Sequence, residues 1–184
     1  VVSASFTDNS NINVDFVIVG IGIIPNTKLA EDTKITVNNG IFVNERCQTS
    51  ISNIYAAGDC ASFNYKNTLV RLENVGNAID QANIVAQNIL GQNATYLPKP
   101  WFWSDQYDLK LQIAGLNTGY DNVVVRAGKS KQVSHWYFKG SELLAIDALN
   151  DPRAYMIGKK LIEAKKSPSK DQIKDQDFNL KALL

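Results

Sequence analysis

Side chains suited to metal binding, nucleophilic attack or proton shuttling are scarce in this chain of 184 residues, which holds two cysteines and one histidine. Cys47 and Cys60 are too few and too far apart for a disulfide framework or a zinc site, and fit a reducing compartment. Charge of either sign is not in excess, with 19 Lys and Arg against 18 Asp and Glu, so neither nucleic acid nor an anionic membrane is indicated as a general partner. No apolar run approaches the ~20 residues that span a bilayer. A charged-then-apolar leader is also missing, and the expectation is a soluble, cytoplasmic protein. Internal repeats and low-complexity tracts are absent. So is any G-x-G-x-x-G phosphate loop: Gly20-Ile21-Gly22 is G-x-G alone, and Pro25 falls where a helix and its third glycine belong. With 45% hydrophobic residues the chain can still bury a substantial core, enough for one domain or two small ones.

What is present is a series of short motifs. In Ile54-Tyr55-Ala56-Ala57-Gly58-Asp59-Cys60-Ala61 a short apolar run fit for a buried parallel strand stops at Gly58-Asp59. Glycine admits positive φ or a close approach of backbone to a ligand. An ionised aspartate offers only acceptors, suited to polyol hydroxyls. A common turn is the competing reading. Upstream stands Val19-Gly20-Ile21-Gly22-Ile23-Ile24-Pro25-Asn26, and downstream Arg71-Leu72-Glu73-Asn74 opens a helix. Val75, Ala78, Ile79, Ala82, Val85, Ala86 and Ile89 share one helical face, with Asn74 as N-cap and Gly91 as C-cap.

The β-branched run 13–20 reads as a buried strand, and 35–37 with 41–43 as a hairpin turning at Asn38-Asn39-Gly40. Residues 91–99 read as a linker stiffened by Pro98 and Pro100. Beyond it strand-like runs recur at 109–114, 123–126, 133–138 and 143–148, a spacing that predicts an antiparallel meander. Asp151-Pro152 then starts a helix running towards Lys166, Ser167-Pro168-Ser169 breaks it, and one short charged helix follows.

The ordered set of motifs, together with Pro100-Trp101-Phe102-Trp103-Ser104-Asp105-Gln106-Tyr107-Asp108, resembles the FAD-dependent, NAD(P)H-oxidising flavoprotein reductases. Within them it is similar to the ferredoxin/rubredoxin reductases that feed bacterial oxygenases, with apoptosis-inducing factor a more distant relative. The resemblance runs from about residue 14 to 160. It implies an α/β fold: the distal part of a flavoprotein with two dinucleotide-binding domains, followed by an α+β C-terminal domain with an antiparallel sheet. By that template residues 1–26 end the NAD(P)-binding domain, 27–91 form the C-terminal part of the FAD-binding domain, and 92–184 the reductase C-terminal domain. The missing initiator Met and phosphate loops then read as those of a C-terminal fragment, expected to be inactive alone. The implied cofactors are FAD and NAD(P)H, and the implied partner is a ferredoxin or rubredoxin-like acceptor. A non-enzymatic docking or dimerisation module, or a reductase delivering to oxygen, quinone or another acceptor, are the alternatives.

Residue by residue, the resemblance places Gly58 and Asp59 at the FAD phosphates and ribityl chain. It sets Asn74 and the amide of Val75 at the flavin ring, where a helix N-terminus stabilises negative charge. Glu73 is brought near the nicotinamide carboxamide, against the alternative that it complements the helix dipole. Trp103 comes beside the isoalloxazine, against an ordinary core role, and Gly20 and Gly22 lie near the nicotinamide half of NAD(P)H, against a tight turn. No catalytic acid or base and no metal ligand is expected. His135 reads as a strand residue, and no glutamate follows it closely enough for the histidine–glutamate pair of disulfide reductases. Lys110, Arg126, Lys129 and Lys131 suggest either a basic docking surface or ordinary solvated charge.

Overall fold

The computed structural model describes residues 2–184. Strands β1 (Ser3–Ser5) and β2 (Asn11–Asn13) pair antiparallel, and the ladder ends at Asn13. The strand expected over 13–20 therefore does not form. Buried parallel strands need hydrogen-bonding neighbours on their edges, and none of the described backbone supplies them. Its apolar side chains face solvent, Ile18 being 85% and Val19 69% exposed.

Helix α1 (Lys28–Asp32) leads to the turn at Asn39 and Gly40, both with positive φ as the Asn-Asn-Gly sequence predicts. The expected hairpin shrinks to one bridge, Val37 to Ile41, because β3 (Ile41–Phe42) pairs in parallel with β4 (Ala61–Tyr65) instead. β4 turns at Lys66-Asn67 into its antiparallel partner β5 (Thr68–Val70). Among the described residues, 54–57 make only the bridge Gln48 to Tyr55. Gly58-Asp59 thus leads into a strand rather than ending one, since no second neighbour pairs with 54–57.

Helix α2 (Val75–Ile89) has the expected ends: the Asn74 side chain accepts from the amide of Asn77, and Gly91 turns out with φ +78. Its burial is the surprise. Asn77 and Gln81 face inward, while Val75, Ile79 and Ile89 are more than half exposed. The linker is held by Tyr96, buried in a core with Val43, Cys47, Phe63 and Leu72, where Phe63 meets it edge-on at 5.3 Å.

The C-terminal sheet holds β6 (Trp101–Gln106), β7 (Leu109–Gly115), β8 (Asn122–Ala127), β9 (Val133–Lys139) and β10 (Glu142–Leu149). All pairs are antiparallel, in the order β6-β7-β10-β9-β8. Only β8-β9-β10 is a meander; β10 inserts beside β7 and displaces β8 to the edge. Asp151 caps α3 (Pro152–Glu163), Ser169 caps α4 (Lys170–Lys174), and a 3-10 turn (Leu180–Leu183) follows. Trp136, Phe138, Ile146 and Ala148 pack on Ile157, Leu161, Ile173 and Leu180. Gly158 allows this approach, since a methyl there would sit 2.7 Å from Ile146. Among the described residues no helix is long and apolar enough to cross a membrane.

Candidate functional site

The turn at Gly58 is built onto α2. With φ +81, Gly58 sends its amide to Oε1 of Gln81 at 2.7 Å, and a methyl on it would stand 3.4 Å from Ala78 Cβ. The same Gln81 oxygen accepts from Asn77 Nδ2 at 3.3 Å, and Asn77 Oδ1 accepts from the Tyr96 hydroxyl at 2.6 Å. Burial holds that hydroxyl protonated well above the usual tyrosine range. A buried relay therefore joins the linker, the helix and the glycine turn.

Asp59 and Glu73 meet at one guanidinium. Arg71 donates to the Asp59 carbonyl at 3.1 Å and forms an ion pair with Glu73, while the carboxylate of Asp59 is left exposed. Asn74 and Val75 begin α2 immediately afterwards, where free amides and the helix dipole concentrate positive potential. Gly76 in the first turn is required by close packing: a methyl there would lie 2.6 Å from Trp101 Nε1. Trp101 stacks on Trp103 with ring centres 5.2 Å apart and planes 21° apart. Gly58, Asp59, Glu73, Asn74, Val75 and Trp103 are thus brought into one connected neighbourhood. Gly20 and Gly22 are not, for a methyl on either would meet nothing within 4 Å.

Three side-chain donors in this neighbourhood are buried without a hydrogen-bond partner among the described residues: Arg71 Nε, Asn74 Nδ2 and Gln81 Nε2. The fourth unpartnered atom, Asn88 Oδ1, lies at the far end of α2. Each orphan costs about 1–3 kcal/mol unless something accepts from it. A flavin nucleotide is rich in acceptors, through its ring carbonyls, ring nitrogens, ribityl oxygens and phosphates. The donor set and the helix N-terminus fit such a group. Arg71 and Gln81 carry no mark in the sequence: Arg71 opens Arg71-Leu72-Glu73-Asn74, but nothing in the spacing shows that it bridges Asp59 and Glu73.

Two other groups of residues are accounted for structurally. Arg126 donates to the carbonyls of Ile173, Asp175, Gln176 and Phe178, and Lys131 pairs with Asp108, so the suggested basic surface loses two of its four cations. His135 is half-buried in β9, across from Asp147 and Val125.

Comparison with known proteins places the fold. Residues 1–82 match the pyridine nucleotide-disulphide oxidoreductase model, and 101–184 match the reductase C-terminal model. The chain thus carries part of a pyridine nucleotide-disulphide oxidoreductase domain followed by a reductase C-terminal domain. Over 90% or more of its length it is similar to ferredoxin reductases. It is 44% identical to rhodocoxin reductase of Rhodococcus erythropolis over 99% of its own length, and 37% identical to putidaredoxin reductase of Pseudomonas putida over 96%. It superposes on the ferredoxin reductase from Rhodopseudomonas palustris with a TM-score of 0.93 at 36% identity, covering 100% of this chain and 46% of that one. On the covalent putidaredoxin reductase–putidaredoxin complex the TM-score is 0.91, again at 36% identity, covering 99% of this chain and 44% of that one. The chain spans about 44% of the length of rhodocoxin reductase and 43% of putidaredoxin reductase.

Proposed function

We propose that this chain supplies the ribityl and ring end of an FAD site in a reductase that oxidises NAD(P)H and delivers electrons to a ferredoxin or rubredoxin-like protein. The observation that carries the reading is the set of three buried, unpartnered donors around the Gly58-Asp59 turn and the start of α2. FAD, when bound, supplies hydride acceptance and single-electron release. Asp59 accepts from the ribityl hydroxyls, with Gly58 giving its backbone close access. Arg71, Asn74 and Gln81 supply donors to the acceptor atoms, and the amide of Val75 adds the positive end of α2. Trp103 covers the ring and excludes water, while Glu73, fixed by Arg71, faces the nicotinamide carboxamide. Gly20 and Gly22 give the nicotinamide half close access to backbone. No side chain here needs to move a proton, in keeping with a lone histidine placed in a strand.

By this reading residues 1–26 close the NAD(P)-binding domain, 27–91 belong to the FAD-binding domain, and 92–184 form the reductase C-terminal domain. Neither phosphate loop lies in these 184 residues, so the chain alone binds flavin orders of magnitude more weakly than a protein carrying both loops and does not oxidise NAD(P)H. The acceptor assignment is supported by two relatives, a reductase in covalent complex with putidaredoxin and a rubredoxin reductase of Pseudomonas putida. The test is spectroscopic. The full-length protein should purify with bound flavin that NAD(P)H bleaches anaerobically and oxidised ferredoxin restores. A colourless protein, or a flavin that NAD(P)H leaves oxidised, contradicts the proposal.

A further inference from the structure

A cavity of about 750 Å³ lies apart from the start of α2. It is walled by the β4–β5 turn, the linker at 96–100, the β7–β10 edge and the last turns of α3. That volume is within the range of small-molecule sites. Its apolar lining includes Leu97, Pro98, Pro100, Leu143 and Ile162, together with the ring of Tyr96, whose hydroxyl is already committed to Asn77. The polar lining is unequal in charge. Glu142 is taken by Lys66 at 3.3 Å and Glu163 by Lys159 at 4.0 Å. Lys99 and Lys165, also on the wall, make no ion pair among the described residues.

We propose that this cavity binds a small amphiphilic anion, a carboxylate carrying an aromatic or aliphatic body. The carboxylate meets Lys99 and Lys165, and the body covers the apolar lining, which gains by leaving water. A purely apolar ligand gains nothing from the two ammonium groups. A small hydrophilic anion such as phosphate leaves the apolar wall wet. The site is separate from the flavin neighbourhood, and it stands or falls independently of the flavin reading. It nevertheless communicates with it by contact: Lys159 holds its ammonium 5.3 Å from the centre of the Trp101 ring, which stacks on Trp103 and packs on Gly76. An anion in the cavity competes for Lys159 and changes the field at that ring.

The probe is naphthoate, titrated into the nitrogen-labelled full chain while the indole N–H signals are followed, with naphthyl methanol as uncharged control and inorganic phosphate as competitor. The expected result is a saturable shift of the Trp101 signal, with naphthoate affinity about tenfold weaker in a Lys99→Gln, Lys165→Gln double variant. Naphthyl methanol should bind more weakly than the acid and equally to both proteins, and phosphate should not displace naphthoate. A missing Trp101 shift, equal naphthoate affinity in the double variant, an alcohol as tight as the acid, or displacement by phosphate each overturns the proposal. Exposed lysines rarely carry the fold, so the double variant reads binding rather than unfolding.

Discussion

The amide of Gly58 and the side-chain oxygen of Gln81 are hydrogen-bonded at 2.7 Å, which fixes a left-handed turn to the buried face of the helix that follows it. Gln81 is fully buried, and through Asn77 it also holds Tyr96 of the linker. Turn, helix and linker therefore form one unit, and a change in any of them is felt at the others.

Gln81→Leu removes the acceptor of two buried donors, Gly58 N–H and Asn77 Nδ2. Its expected cost is about 2–4 kcal/mol, read as a lower urea midpoint. Gln81→Met, which keeps the length of the side chain without its acceptor, should lose a similar amount. A methionine variant as stable as the parent would show that the side chain matters for volume alone.

Arg126→Ala leaves four carbonyls of the C-terminal segment without their donor. The prediction is a loss of about 2–3 kcal/mol, with hydrogen exchange accelerating in α4 and the final 3-10 turn before it does in the sheet. Uniform acceleration through the whole domain would count against a local clasp.

Burial raises the Cys47 thiol to about 11 from 9.0. The folded state therefore keeps a proton that the unfolded state loses first, and stability falls as pH rises from the ordinary thiol range to about 11. The tyrosines Tyr96, Tyr137 and Tyr155, also raised by burial, extend the same slope beyond pH 10. Cys47→Ala should flatten the lower part of that slope by up to about 2 kcal/mol. Urea midpoints measured from pH 8 upward check this, and an unchanged slope would exclude Cys47 as its source.

Trp103 is 46% exposed and stacked on Trp101, so its removal costs the fold little. In the full-length protein Trp103→Ala should perturb flavin absorbance or fluorescence and slow ferredoxin reduction about tenfold or more, with FAD binding changed less. Identical spectra and turnover would return Trp103 to an ordinary packing role.

Local signals carried most of what the sequence revealed. The caps of α2 and α3 were legible because Asn74, and Asp151 with Pro152, act within a few residues of themselves. Strands β7 to β10 were legible from their alternation, but their order was not, because the insertion of β10 beside β7 joins residues far apart in sequence. Periodicity misled where an apolar face has no partner among the described residues. Val75 and Ile79 read as the core side of α2 yet point outward, and Asn77 and Gln81, which look like surface residues, are buried. The same holds for the run beyond Asn13, whose apolar residues signal a strand that finds no neighbour. In the candidate site, Asp59, Glu73 and Asn74 stand in motifs that the sequence shows. Arg71 and Gln81 are not legible there, since what marks them is an unpartnered donor visible only in three dimensions.

Flavin content of the full-length Asp59→Ala protein tests the central claim most directly. The Asp59 carboxylate is exposed and makes no side-chain hydrogen bond among the described residues, so the fold should change by less than about 0.5 kcal/mol. Loss of a charged acceptor for the ribityl hydroxyls is worth about 1.5–3 kcal/mol, or roughly 10- to 150-fold in FAD affinity. The expected result is a folded protein with substoichiometric flavin and an FAD dissociation constant raised by that factor. Full flavin occupancy with unchanged affinity would contradict it and remove the Gly58-Asp59 turn from the cofactor site.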